Sequence, residues 1–325
     1  MSQKRSNLSS IRGSTVLVTG GNGAVGCNLV RRLLELSCNI VVLDDFSQSK
    51  KGNLPLDKNI KIIRGDIADE KTLNKTFATR YDYIFHLAAR FANEMSVLNP
   101  IEDLRVNIQG TLQLLLHAAK QKTTRFLYSS SSSLYGPQKE NVFTETLRPN
   151  PSTPYAVSKL AAEYYCSAIK KTCGIDYTIV RLSNSYGPFD PPGKFRNVIP
   201  NFFMSAMHNK HLTITGTGRE TRDFTFVGDT VQGILLAITE PKAKNETFNL
   251  GTGKETSILS IAKLIMRITD SKSKIVFKPM RSFDHIKRRR MDIRKANKIL
   301  GYRPTTSIQD GLKMTYEWFQ KQHYD

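Results

Sequence analysis

The amino-acid sequence predicts an α/β protein, a doubly wound parallel sheet followed by a smaller C-terminal α/β region. Short apolar runs rich in β-branched residues recur at Thr15–Thr19, 39–43, 60–63, 83–87, 125–128 and 177–181, with helix-spaced stretches at 24–36, 103–120 and 155–173 between them. Strands that alternate with helices predict parallel pairing with both sheet faces covered. A glycine cluster separates the first strand from the first helix, and a Pro/Gly-rich stretch at 187–193 marks a change of character after Arg181.

Beyond that change, Val198–Met207 reads as a helix and Leu212–Thr215 as a short strand. Segment 224–240 looks like a return to the first region, 248–250 is another short strand, and 257–268 and Ile308–Gln320 are amphipathic helices. The expected division is therefore 13–182 with a return at 224–250 for the first domain, and 183–223 with 251–325 for the second. At 325 residues and 39 % apolar content the chain can bury cores of that size. No run of 18 apolar residues exists and the first 13 residues are polar and basic, so a soluble, unprocessed chain with no membrane partner is expected. Cys27, Cys38, Cys166 and Cys173 show neither metal-ligand spacing nor a dense framework, which predicts reduced thiols, a cytoplasmic setting and no metal site. The net charge of +20 draws anions, but most basic residues are scattered and read as solvated surface. The run Lys287-Arg288-Arg289-Arg290 stands apart.

Gly20-Gly-Asn-Gly23-Ala24-Val25-Gly26 follows a strand, opens a helix, and has Asp44 eighteen positions on at the end of the next strand. That is the full dinucleotide fingerprint: glycines let the backbone approach a pyrophosphate, whose charge sits on the helix N-terminus. Asp44 would accept from the adenosine ribose hydroxyls and repel a 2′-phosphate, selecting NAD over NADP. Asp66 and Ile67, where the third strand ends, can reach the adenine edge. Leu87, Ala88 and Ala89 close the fourth strand with small residues that leave room for the nicotinamide side. His86 before them reads as a packed strand histidine.

Tyr155 and Lys159, four residues apart in a helical stretch, share one face. A tyrosine is a poor base at neutral pH, and an ammonium one turn away is expected to lower its pKa. The serine run 129–133 ends the fifth strand ahead of Leu134-Tyr135-Gly136-Pro137. Taken in order, the glycine loop, the serine strand and this pair resemble the extended short-chain dehydrogenase/reductase family, and within it the nucleotide-sugar epimerases and dehydratases. The resemblance runs from Thr15 to about Gly311.

That resemblance implies a keto-sugar mechanism. Tyr155 would take the proton of a sugar hydroxyl while hydride leaves the same carbon, Lys159 would hold the nicotinamide ribose, and Ser131, four residues before Tyr135, would orient the oxygen. Asn107 matches the family asparagine that positions the active-site backbone. Asn184 and Arg222 match residues that grip the substrate diphosphate, and Arg281 and Asp284 those that bind phosphate and the nucleoside ribose. Ser132 and Ser133 stand where dehydratases carry an Asp-Glu pair and decarboxylases a glutamate. This tilts the expectation to an epimerase acting at C4 of a UDP-hexose, with decarboxylation or 4,6-dehydration as the alternative. Uridine diphosphate is the first expectation, with thymidine, cytidine and guanosine open. A homodimer through helices 103–120 and 155–173 is implied as well. The charge prompts a remoter alternative, a non-catalytic nucleotide- or RNA-binding regulator, although nucleic acid is not the expected partner.

Overall fold

The computed structural model describes residues 7–49, 52–281 and 286–322. Its centre is a seven-stranded sheet in which every pairing is parallel. With β1 as Thr15–Thr19, β2 as Asn39–Asp44, β3 as Ile60–Arg64, β4 as Tyr83–His86 and β5 as Arg125–Ser131, the order runs from strand Glu246–Leu250 through Tyr177–Leu182 to β5, β4, β1, β2 and β3. The period-two pleat decides the packing. Val16, Val18, Ile40 and Val42 enter one core, and Leu17, Val41 and Leu43 enter the other. The first core is closed by α1 (Ala24–Glu35) and by helix Val227–Thr239, the second by helices Thr111–Lys120 and Pro154–Cys173. Both faces are buried, as the continuous apolar strands require.

The return expected at 224–240 is present. Strand Phe224–Phe226 pairs with Asn184–Tyr186, helix Val227–Thr239 packs on the sheet, and Glu246–Leu250 adds its edge strand. A separate core joins helices Val198–Met207, Ile258–Ile268 and Ile308–Gln320 to strand Leu212–Thr215, which pairs with Ile275–Lys278. Ala296, Leu300 and Tyr302, late in the chain, belong to the α1 side of the main sheet.

One expected helix differs in form. The stretch expected at 103–120 starts earlier, at Pro100–Leu104, and passes through a π turn at Arg105–Gly110 before Thr111–Lys120. Inside that turn Asn107 is tied on both sides, because its Oδ1 accepts from Arg90 N at 2.8 Å and its Nδ2 donates to Asp103 Oδ1 at 2.8 Å. A wide turn of this kind is frequent at functional sites.

Helix Pro154–Cys173 has clear ends. The Thr153 hydroxyl accepts from Ala156 N, Pro154 sits in the first turn, and Gly174 closes the helix at φ +82°. Its interior is fixed by a buried ion pair, in which Arg181 donates Nε and Nη2 to the two oxygens of Glu163 at 3.0 and 2.8 Å. A third donor, Nη1, reaches the Tyr135 hydroxyl at 2.8 Å, and that hydroxyl donates to Asn249 Oδ1. The helix, the turn after β5 and the edge strand are thus locked together. Breaking a buried pair leaves an uncompensated charge, so Glu163→Gln is expected to cost about 3 kcal/mol in urea unfolding. The double change Arg181→Met with Glu163→Leu should cost less, and an unchanged midpoint for Glu163→Gln would show that the pair does not hold the helix.

Candidate active site

All main-sheet strands point the same way, so their C-terminal ends share one edge, the usual place for a ligand in an open α/β sheet. A cleft of about 400 Å³ runs along that edge and reaches across to the segments after residue 183. Gly20, Gly23, Ala24, Val25, Gly26, Asp44, Asp66, Ile67, Leu87, Ala88 and Ala89 line one half of it. Ser131, Ser132, Tyr155 and Lys159 form its middle, and Asn184, Arg222 and Arg281 its far end. Asp284 lies outside the described residues.

The glycine loop shows why glycine is needed. Gly20 has φ +69°, and a Cβ there would come within 2.7 Å of Ala88 N. A Cβ on Gly26 would lie 2.1 Å from Gly20 O, so only glycine lets α1 start against the strand. The first turn of α1 therefore points its amides at the cleft, a ready anion site. Asp44 is buried, and its two oxygens accept from Asn22 N at 2.9 Å and Phe46 N at 2.8 Å. Burial pushes its carboxyl up while those amides pull it back. Asp66 accepts from Arg105 at 2.5 Å and from Ala68 N. His86 is wholly buried between the hydroxyls of Thr19 and Thr111, 2.7 and 2.8 Å away, which makes it structural as expected.

At the middle of the cleft Lys159 is 3 % exposed and donates Nζ to Ser129 O at 2.9 Å, with the rings of Tyr128 and Tyr155 at 4.9 and 5.8 Å from Nζ. Burial lowers its pKa to about 8, against the pull of Asp103 and Glu163. The expectation that this ammonium lowers the Tyr155 phenol is corrected here. Burial pushes the phenol well up, and what opposes it is a hydrogen bond with the Ser131 side chain. The reason is burial, since loss of solvent disfavours the phenolate more than any neighbour favours it. Ser131 Oγ also accepts from Ser133 N at 3.1 Å, which turns the chain out of the strand into a 3-10 turn.

Asn107, also expected among the cofactor-binding residues, does not line the cleft, while its expected hold on the backbone is seen. It is buried behind it and holds the backbone of Arg90, so its part is to support the loop after β4. At the far end Arg222 is buried and donates Nη1 to the carbonyls of Thr221 and Ile286, both at 2.9 Å. Arg281 is half exposed, 3.6 Å from Glu94. Asn184 Oδ1 is buried with no hydrogen-bond partner among the described residues, an atom that a polar ligand would satisfy.

The basic run departs from a solvated edge. Lys287 and Arg288 are exposed, with Arg288 paired to Glu255, but Arg289 is 6 % exposed and lines the cleft near Arg222 and Ile286. The cause is register. Thr221 N donates to Lys287 O, and the two-residue strand Arg290–Met291 pairs with Val142–Phe143, which turns the intervening side chain inward. Four consecutive basic residues hide that alternation in the sequence. Asp190 also lines the cleft, and burial raises its carboxyl to about 6; its place in a Pro/Gly-rich loop carries no periodic signal.

The glycine cradle, the acid at the end of β2 and the small residues after β4 fit a dinucleotide. Comparison with known proteins agrees. The family model described as "NAD dependent epimerase/dehydratase family" matches residues 16–251. An epimerase structure from Methanothermobacter thermautotrophicus superposes with a TM-score of 0.96 at 40 % identity, covering 98 % of this chain and 96 % of that one. UDP-glucose 4-epimerase of Thermotoga maritima, solved with UDP-glucose, gives 0.90 at 34 % identity over 94 % of this chain and 99 % of that one. UDP-N-acetyl-alpha-D-glucosaminuronate decarboxylase of Bacillus cytotoxicus is 32 % identical over 94 % of this chain and 97 % of its own. With its fold, its glycine loop and its cleft in accord, the chain belongs to the NAD-dependent epimerase/dehydratase family and is an enzyme of that family.

Proposed function

We propose that the protein is a nucleotide-sugar epimerase that inverts C4 of a UDP-hexose through a 4-keto intermediate. The observation that carries this is the residue set around Ser131: Tyr155 and Lys159 line the same cleft, and the next two positions are Ser132 and Ser133, without a carboxyl group to assist elimination or loss of carbon dioxide. NAD, when bound, supplies the hydride acceptor and brings positive charge into the cleft. The remaining work falls to side chains. Tyr155 Oη accepts the proton of the sugar hydroxyl and later returns it, with Ser131 Oγ orienting that oxygen. A phenol raised by burial holds its proton firmly, and the Ser131 hydroxyl is the group that opposes this.

The far end supports a diphosphate ligand. Arg222, Arg281 and Asn184 present donors and an unsatisfied polar atom within one cleft, and a guanidinium suits paired phosphate oxygens. We assign Asp284 to the nucleoside ribose on resemblance alone. A homodimer fits the exposed apolar side chains Leu104, Leu116, Val157 and Tyr164, which lie on the two helical stretches expected to pair. No helix among the described residues is long and apolar enough to cross a membrane.

One observation favours a second reading. Asp190 is a buried carboxyl group lining the same cleft, raised by burial to about 6, and elimination would call for an acid of this kind. Incubation with UDP-glucose, UDP-N-acetylglucosamine and UDP-glucuronate separates the possibilities: an epimer is expected, and a 4-keto-6-deoxy product or carbon dioxide would replace the epimerase reading. Tyr155→Phe is expected to lower kcat by at least about a thousandfold while the purified protein keeps its NAD, as measured by mass spectrometry. Loss of the cofactor in that variant would make Tyr155 structural. Asp44→Ala should weaken NAD and narrow its advantage over NADP in a binding titration, whereas an unchanged ratio would remove Asp44 from the adenosine pocket.

A further inference from the structure

The cofactor half of the cleft carries a chain of charged side chains that the chemistry above does not use. It runs from the loop after β2, through Arg90 in the loop after β4, to Glu102 and Arg105 at the start of the π turn, and ends on Asp66 beyond β3. Arg90 donates Nη1 to Ser47 Oγ at 3.0 Å and Nη2 to Glu102 Oε1 at 3.0 Å, with Asp45 at 3.9 Å. Glu102 is gripped again by Arg105, which gives Nε to one carboxylate oxygen at 2.8 Å and Nη2 to the other at 2.9 Å. The same Nη2 reaches Asp66 at 2.5 Å. Asp45, Ser47, Asp66 and Arg90 all line the cleft.

Topology gives this chain its place. The sheet order β4, β1, β2 sets the ends of β4 and β2 on either side of β1, two strand spacings or about 10 Å apart. The glycine loop follows β1 and opens α1, which is where the pyrophosphate of a dinucleotide rests. A side chain that leaves the loop after β4 and bonds the loop after β2 therefore spans the glycine loop. Its root is fixed, because Arg90 N donates to Asn107 Oδ1 at 2.8 Å. Its tip is a planar guanidinium, a group suited to phosphate oxygens.

We propose that Arg90 is a cofactor-retaining residue: braced by Glu102 and tied to Ser47, it closes a strap across the glycine loop, and NAD leaves only when that strap opens. Glu102 sets the strength of the strap, since its two oxygens hold Arg90 and Arg105 together and so join the loops after β2, β3 and β4 into one unit. A lone exposed pair is worth little, but here three carboxylates and two guanidiniums form a connected network. Its charged side chains are 28 to 38 % exposed, which leaves the strap open to screening by dissolved salt.

The proposal rests on NAD as the cofactor and not on the reaction, so its test needs no turnover. Purified holoenzyme is mixed with an excess of deuterium-labelled NAD, and exchange of the bound cofactor is followed by mass spectrometry of the protein fraction after rapid desalting. Arg90→Gln and Glu102→Gln are each expected to speed release about fivefold, the scale of a partly exposed ion-pair network. The double variant should release no faster than the faster single one, because both changes open the same strap. In the unaltered protein, release should quicken between about 0.1 M and about 1 M salt, as the screening length falls from about 10 Å to about 3 Å, and Glu102→Gln should lose most of that dependence. Urea unfolding of the apoprotein separates a strap from a brace of the fold, and its midpoint is expected to be the same in both single variants. Unchanged release in Arg90→Gln, an additive double variant, or release that rises only in step with a lower unfolding midpoint overturns the proposal. So does a release rate in the unaltered protein that ignores salt, an arm that stands even where a variant does not fold. Unaltered protein that exchanges NAD but converts no sugar nucleotide sinks the epimerase reading and leaves the strap to be judged on release alone.

Discussion

The structure depends on holding one ammonium group out of water at the end of β5. Lys159 is almost solvent-free, hydrogen-bonded to the carbonyl of Ser129 and flanked by two tyrosine rings. Each neighbouring element serves that constraint. The sheet supplies the carbonyl, and helix Pro154–Cys173 is pinned at its cap by Thr153 and in its interior by Glu163 against Arg181. The π turn delivers Asn107 to the loop after β4. A dry setting has a chemical consequence, because charge interactions are stronger there. It also raises the barrier to ionising Tyr155, which is why the balance of charges around the pair matters more than the pair itself.

Much of this was legible beforehand. The apolar runs located all seven main-sheet strands, and the helices Val198–Met207 and Ile308–Gln320 fall where their spacing places them. Glycine loop, Asp44, Ser131, Tyr155 and Lys159 were readable because each sits at a strand end or on a helix face, where position follows from period. Less legible were features set by long-range packing. The π turn depends on Asn107 reaching Arg90, seventeen residues away. Arg289 turns inward because a two-residue strand fixes its register, and Asp190 is buried by segments that no periodicity connects. The direction of the Tyr155 shift needed burial, which a sequence spacing does not reveal.

The two ends of the cleft divide the recognition task. The half near α1 relies on backbone amides and one carboxylate, a geometry that tolerates little change because a Cβ on Gly20 or Gly26 would strike backbone. The half near Arg222 is lined by guanidinium groups, two of them buried, whose donors suit phosphate oxygens. An epimerase and a decarboxylase share this scaffold at similar identity to this chain.

The path of the hydrogen at C4 is the most direct measure of the account. A UDP-hexose carrying deuterium at that carbon is incubated with the enzyme and the product is examined by NMR. The expected product is inverted at C4 with the deuterium still on that carbon, since hydrogen that leaves and returns as hydride does not exchange with water. Deuterium found at C6, or washed out into water, would contradict it.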